Sequence, residues 1–215
     1  MQHFSLAAIV LALIGMFYPG SAETPVRTFT PEKVREVVPA HTTLLFGGDM
    51  MFDRFVRVKM EAKGDDFILS CVDGILRDAD MVVANLEGPI TEYPSVSVTS
   101  TIGTSENFIF TFPTSTAPLL VRHNIRMVNL GNNHFSNFGE KGMLSTMVAL
   151  ADSGVGFFGS PLQNSISRRT VAGVPIEFIS YNEFGGAGNE LAKYQIQYAR
   201  KEGFIPVVYT HWGIF

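Results

Sequence analysis

The sequence predicts an α/β fold with a largely parallel core, and three observations carry that expectation. Short apolar runs recur at Leu44-Leu45-Phe46, Met81-Val82-Val83-Ala84, Met127-Val128-Asn129-Leu130 and Val207-Val208-Tyr209-Thr210. Runs of this length flanked by glycine read as buried parallel strands. Stretches of helical period separate them. Each run also stops abruptly in residue types that ligate metals: Gly47-Gly48-Asp49, Asn85-Leu86-Glu87, Gly131-Asn132-Asn133-His134 and His211-Trp212-Gly213. Ligands of open α/β sheets bind outside the carboxyl ends of the strands, so four such ends suggest a divided metal site.

Composition sets the outer bounds. A chain of 215 residues, 46% hydrophobic and 17% charged, is globular and long enough for one substantial core. The net charge of −4 and the lack of a long basic run argue against a nucleic-acid partner. Phe4 to Phe17 is almost wholly apolar, too short for a comfortable membrane span, and Pro19-Gly20-Ser21-Ala22 follows. Residues 1–22 read as a secretory signal peptide or an N-terminal anchor, although only His3 supplies any basic character before the apolar run. The protein is therefore expected to be exported: extracellular, periplasmic or anchored at the cell surface. Cys71, the single cysteine, rules out an internal disulfide and is expected as a small apolar core residue.

Residues 23–41 carry Pro25, Pro31 and Pro39 and read as a linker, with one or two helical turns over 31–38. The domain spans 42–215. Thr42 to Phe46 is the first strand. Asp65 to Ala79 is a helix whose apolar pairs at 67/68, 71/72 and 75/76 form one stripe. Met81 to Ala84 closes a βαβ unit. The Ser- and Thr-rich stretch 88–111 is a surface excursion, with a hairpin suggested by Ser95-Val96-Ser97-Val98. A short helix over 118–124 precedes a strand over 126–130. The next helix, 140–152, places Met143, Leu144, Met147, Val148 and Ala151 on one face and stops at Gly154. Strands follow over 155–158, 170–172 and 174–181, then a helix over 189–201 stopped by Gly203, then a last strand over 204–210.

Each strand-end motif has a bland reading beside the chemical one. Asp49 could cap a helix at Met50-Met51-Phe52, or stand at the strand edge after two glycines that allow close approach. Asn85 and Glu87, two apart, share a face of an extended segment as hard oxygen donors, or are a turn residue and a solvated carboxylate. Asn132-Asn133-His134 is the strongest local signal, because two amides and an imidazole after an apolar strand are costly unless paired or ligating. His134 suits a ligand or a general acid. A lone His211 is usually structural. Arg54, five residues after Asp49, is placed to reach an anionic substrate group, or is a surface arginine. The recurrence at four strand ends favours the chemical reading.

These motifs resemble the CapA-type capsule-synthesis family, linked to poly-γ-glutamate and carrying a metallophosphoesterase-like domain. The matching text is Gly48-Asp49-Met50-Met51-Phe52-Asp53-Arg54, Asn85-Leu86-Glu87-Gly88-Pro89-Ile90-Thr91, Asn132-Asn133-His134 with Gly139 and Gly142, and His211-Trp212-Gly213. The resemblance implies a calcineurin-like α/β/β/α sandwich with one or more divalent metal ions, with manganese, iron, zinc and magnesium all open. Carried over residue by residue, it implies Asp49, Glu87, Asn133 and His211 as metal ligands or their near neighbours, with Asn85 as an alternative ligand. It also implies His134 as proton donor or transition-state stabiliser and Arg54 as an anion contact. The sequence departs from the family at Asn137 and Phe215, where Asp and Glu are usual. The family's further strands, with a Gly-His-x-His-like segment, are not among these residues. The sandwich is therefore expected to be incomplete at its C-terminus.

Two classes of function follow from this reading. One is a metal-dependent hydrolase or phosphoesterase in capsule biosynthesis, acting on an anionic extracellular polymer or a phosphoester. The other is a non-catalytic export or assembly factor for such a polymer, working with membrane-associated capsule synthesis machinery. An inactive fragment is the third expectation.

Overall fold

The computed structural model describes residues 41–163, 165–185 and 188–213. The signal or anchor segment, the linker as far as residue 40, and Phe215 lie outside the described residues. Among the described residues seven strands and five α-helices follow in the order β1 (Leu44–Met50), α1 (Arg54–Lys63), α2 (Asp73–Asp78), β2 (Met81–Leu86), α3 (Thr116–Arg122), β3 (Ile125–Asn129), α4 (Gly139–Asp152), β4 (Gly156–Phe158), β5 (Ile166–Val171), β6 (Val174–Asn182), α5 (Gly188–Lys201) and β7 (Ile205–His211).

Strands β1 to β4 form one wholly parallel sheet in sequence order. A second sheet pairs β5 with β6 antiparallel and β6 with β7 parallel, across α5. Because neighbouring side chains on a strand point to opposite faces, the unbroken apolar runs serve two cores. Val82, Leu86 and Val128 face Met60 of α1, Leu119 and Leu120 of α3, and Met143, Met147 and Leu150 of α4. Val83, Met127 and Phe158 face the other way, onto Val171, Val174, Ile176 and Phe178 of the second sheet. Helix α5 packs on β6 and β7 and buries Ala199. The layers are therefore helix, sheet, sheet, helix, as the resemblance implied.

Five local expectations are corrected. The helix expected over 65–79 is broken into a 3-10 turn at Asp65–Ile68 and α2. The break lets Asp66 and Asp73 both reach His123, at 2.9 and 2.6 Å from its two ring nitrogens. Hydrogen bonds from Arg122 and His123 lower the pKa of Asp66, and those from Arg77 and His123 lower that of Asp73. With the stripe broken, Cys71 is exposed rather than packed in the core, and Ile75 is exposed too.

The core face of α4 is also turned. Met143 and Met147 are buried as expected, but Leu144 and Val148 are exposed, and Thr146 takes the inward position. Thr146 Oγ1 donates to Gly142 O and accepts from Ile90 N–H, so its burial is satisfied. The stretch 88–111 forms no hairpin. Its two ends are joined by a parallel bridge between Ile90 and Phe112. Finally, no helix covers 50–52, because β1 runs through Met50 and the cap of α1 is Asp53.

Asp53 holds this region in place. It is fully buried, caps Arg54 N–H, accepts from Ser95 Oγ and Thr111 N–H, and pairs with Arg57 Nε at 3.3 Å. Removing one partner of a buried pair leaves the other charge uncompensated. Asp53→Ala is therefore expected to destabilise the chain by about 3–5 kcal/mol. Chemical denaturation measures this, and a loss below about 1 kcal/mol, the scale of a surface pair, would contradict it.

Candidate metal centre

The site lies where β1, β2, β3 and β7 end. On β1, Phe46 pairs with Val83 but Asp49 pairs with Asn85, so one extra residue is inserted on β1. Such a bulge re-aims the side chains that follow it. Asp49 is three residues beyond Phe46 and would otherwise point to the opposite face; the bulge returns it to the side of Asn85. Gly47 permits this, since a Cβ there would lie 3.1 Å from Ala84 Cβ. Tyr209 on β7 donates to Gly47 O at 2.6 Å and fastens the bulge to the second sheet.

Asn85 is the hub of the site. Its Oδ1 accepts from Asn129 Nδ2 at 3.1 Å and from Asn132 Nδ2 at 3.0 Å. That fixes the amide, and its Nδ2 points at Asp49 Oδ1 (2.8 Å), at Glu87 Oε2, and toward His211 Nδ1 (3.5 Å). Asn85 thus presents nitrogen, not oxygen, to the carboxylates. A metal ligand would need the opposite amide face.

Glu87 follows β2 directly, with its N–H donated to Met50 O. Burial first, and then the charge of Asp49, raise its pKa to about 7, against the hydrogen bond from Asn85. His211, the last residue of β7, stands in register with Asn182 of β6. Its Nδ1 is 3.6 Å from Asp49 Oδ1 and its Nε2 is 3.6 Å from Glu87 Oε1. Asn133 Oδ1 joins at 2.9 Å from His211 Nε2. The preceding Asn132 is spent locally, accepting from the backbone N–H of His134 and Phe135, which leaves Asn133 to project.

One ligand atom each from Asp49, Glu87 and His211 falls within 4.8 Å of the others. Two carboxylates and an imidazole so spaced fit a divalent cation bound at roughly 2.0–2.2 Å from each. A cation held here would offset the burial and the Asp49 charge that raise the pKa of Glu87. Asp49 is the open side of the cluster, with its side chain 56% exposed.

His134 and Arg54 border the cluster. His134 Nε2 is 4.0 Å from Glu87 Oε1, and its Nδ1 is 3.2 Å from Asn137 Oδ1. That same Oδ1 accepts from Phe110 N–H, so Asn137 meets the imidazole as an acceptor. Burial lowers the His134 pKa. Arg54 donates from Nε to Asn107 O, and its guanidinium lies 4.8 and 4.6 Å from the rings of Phe108 and Phe110. Its Nη2 is buried without a hydrogen-bond partner among the described residues. Arg54 also has a positive φ of 51°, strain that a non-glycine residue carries only where its surroundings impose it.

Asp49, Asn85, Glu87, Asn133, His134 and His211 thus lie together, and Arg54 is tied to them through Phe110, whose ring packs on His134. Asn129, Asn137 and Tyr209 were not foreseen as parts of it. Asn129 had a readable signal, a fully buried amide inside an otherwise apolar strand. The role of Tyr209 has none, since it depends on the second sheet reaching β1.

An α/β/β/α sandwich with carboxylates and histidines at its strand ends defines a metallophosphoesterase-like class. Residues 43–214 match the family described as bacterial capsule synthesis protein PGA_cap, and the chain belongs to that family. It is 26% identical over 232 residues to the PGA biosynthesis protein CapA of Bacillus subtilis (strain 168), covering 97% of this chain and 57% of that protein. It is 25% identical over 228 residues to the capsule biosynthesis protein CapA of Bacillus anthracis, covering 96% of this chain and 54% of that protein. The chain therefore spans little more than half the length of these relatives.

The Glu87 pKa gives a signed expectation for the metal-free chain. Unfolded, Glu87 ionises near its ordinary value of 4.5, whereas folded it keeps its proton to about 7. The folded state is favoured below that window and loses stability as pH rises through it. In chelator, the melting temperature is expected to fall from pH 4.5 to about 7, and Glu87→Gln to flatten the slope. An unchanged slope in the variant would refute the assignment.

Proposed function

We propose that this chain serves bacterial capsule biosynthesis as an exported metal-dependent hydrolase acting on an anionic polymer of the poly-γ-glutamate kind or on a phosphoester. The observation that carries the reading is the convergence of Asp49, Glu87 and His211 from three strand ends within 4.8 Å. The names of the Bacillus relatives support the capsule role. Among the described residues no helix is long and apolar enough to cross a membrane. Export rests on the leader-like segment 1–22.

Asp49, Glu87 and His211 would hold the cation, with Asn133 Oδ1 beside them. When bound there, a divalent cation would lower the pKa of water toward neutrality and polarise the scissile group; manganese, iron, zinc and magnesium all suit these donors. His134 works at Nε2. Asn137 Oδ1 holds the proton on Nδ1, and burial keeps the ring neutral at pH 7. In that tautomer Nε2 would take a proton from attacking water and return it to the leaving group. Arg54, clamped by Asn107 and two rings, offers its unspent Nη2 to an anionic oxygen of the substrate.

Calorimetric titration with Mn2+ and a hydrolysis assay on a phosphate ester and on poly-γ-glutamate test this together. Wild-type chain is expected to bind the ion and hydrolyse one substrate. Asp49→Ala and His211→Ala are expected to lose both properties. Metal binding unchanged in both variants would refute the site. Polymer binding retained in both, without turnover in the wild type, would identify a non-catalytic assembly factor instead. Arg54→Ala is expected to raise KM about tenfold or more, the scale of one charge-assisted hydrogen bond, with a smaller effect on kcat. Steady-state kinetics check this, and an unchanged KM would remove Arg54 from substrate binding.

A further inference from the structure

Beside the metal centre lies a cavity of about 370 Å³ that the hydrolytic mechanism does not use. Small-molecule sites run from roughly 300 to 1,000 Å³. It opens where β3, β4 and β6 end and is bounded on one side by α5. Asn133 connects the two sites, since its Oδ1 meets His211 while the residue also lines the cavity. Half of the lining residues carry a carboxamide or hydroxyl, and none of the described lining residues is ionisable.

Much of that polarity is unspent. Asn133 uses its Oδ1 on His211, and Asn182 uses its Oδ1 on Phe184 N–H. Neither Nδ2 has a hydrogen bond among the described residues, and Gln195 has no side-chain hydrogen bond among them at all. The Ser180 hydroxyl in the wall is likewise buried without a partner among the described residues. A Cβ on Gly131 would fall 2.2 Å from Ser180 Oγ, so glycine is needed for the β3 loop to close over it.

A wall without cations does not compensate a buried carboxylate or phosphate. It does suit a neutral group that both donates and accepts. A carboxamide offers its N–H and C=O side by side, matching one edge of a peptide-type amide. The Arg54 guanidinium lies over the Phe110 ring, which also packs on His134, and Arg54 is not among the described residues of the cavity wall.

We propose that this cavity is a substrate subsite for a neutral amide linkage of the substrate chain, with the chain's charged groups kept outside it. The anionic group next to the cleaved bond is read separately by Arg54. The subsite's place relative to a cleaved bond rests on the hydrolytic reading; the cavity's preference for a neutral amide does not. The division gives the substrate a direction: charged group toward Arg54 and His134, neutral linkage toward Asn182 and Gln195.

The test is side-chain amide NMR on the full chain, titrated in turn with N-acetyl-diglycine amide, glutarate and maltose. The capped peptide is expected to shift the Asn182 and Gln195 signals, with affinity about fivefold weaker for each hydrogen bond removed by Asn182→Ala or Gln195→Leu. Gln195→Lys, which places a cation in the wall, is expected to admit glutarate to the cavity. In wild type, glutarate is expected to leave these signals unmoved. Maltose shifting them while the peptide does not would overturn the amide assignment in favour of a sugar. A peptide that moves neither signal, or glutarate that moves both in wild type, would overturn the subsite. Peptide binding needs no metal and no turnover, so Asp49→Ala is expected to leave it unchanged. If hydrolysis is absent yet the peptide binds, the hydrolytic reading fails and the subsite stands.

Discussion

The arrangement of this site depends on one carboxamide. Asn85 takes hydrogen bonds at its oxygen from Asn129 and Asn132 of the β3 end, and gives its nitrogen to Asp49 of β1 and Glu87 of β2. Glu87 is buried and stands beside the charge of Asp49, and its raised pKa records both the poor solvation and the repulsion. A neutral donor between them lessens that cost without filling the place of a cation. The amide's direction is set by two donors behind it, so the polarity of the site is fixed before anything binds.

The bulge on β1 and the Tyr209 contact extend the same constraint. Asp49 reaches Asn85 only because an extra residue on β1 shifts its register, and that residue is tolerated because glycine lets β1 approach Ala84 closely. Tyr209 then joins the first sheet to the second across Gly47 O. His211, two residues further along β7, is delivered to the carboxylates by the same strand. The sandwich is therefore what allows a histidine from the second sheet to complete a site begun by the first.

The sequence disclosed a good part of this and hid the rest for physical reasons. The strand ends were readable because a metal-ligand residue after an apolar run stands out, as with Asp49, Glu87, Asn133, His134 and His211. The α/β class was readable from the spacing of those runs. What failed were faces and breaks. The 65–79 pattern looked helical because its apolar residues kept the period, but pairing of Asp66 and Asp73 with His123 outweighed that local preference. Thr146 displaced Leu144 from the core face because a backbone N–H of a distant loop needed an acceptor. Asn85 could be placed at the site but not oriented, since the direction of an amide depends on donors 44 and 47 residues away.

Membership of the capsule synthesis family and the geometry of the cluster point the same way, toward a cation at Asp49, Glu87 and His211. The most direct measurement is a crystal structure of the chain grown with Mn2+, with the ion located by its anomalous scattering. The expected result is a peak within about 2.0–2.3 Å of oxygens of Asp49 and Glu87 and a nitrogen of His211, with Asn85 still holding its nitrogen toward the carboxylates. A saturated crystal with no peak among these three residues, or with the ion bound elsewhere, would contradict it.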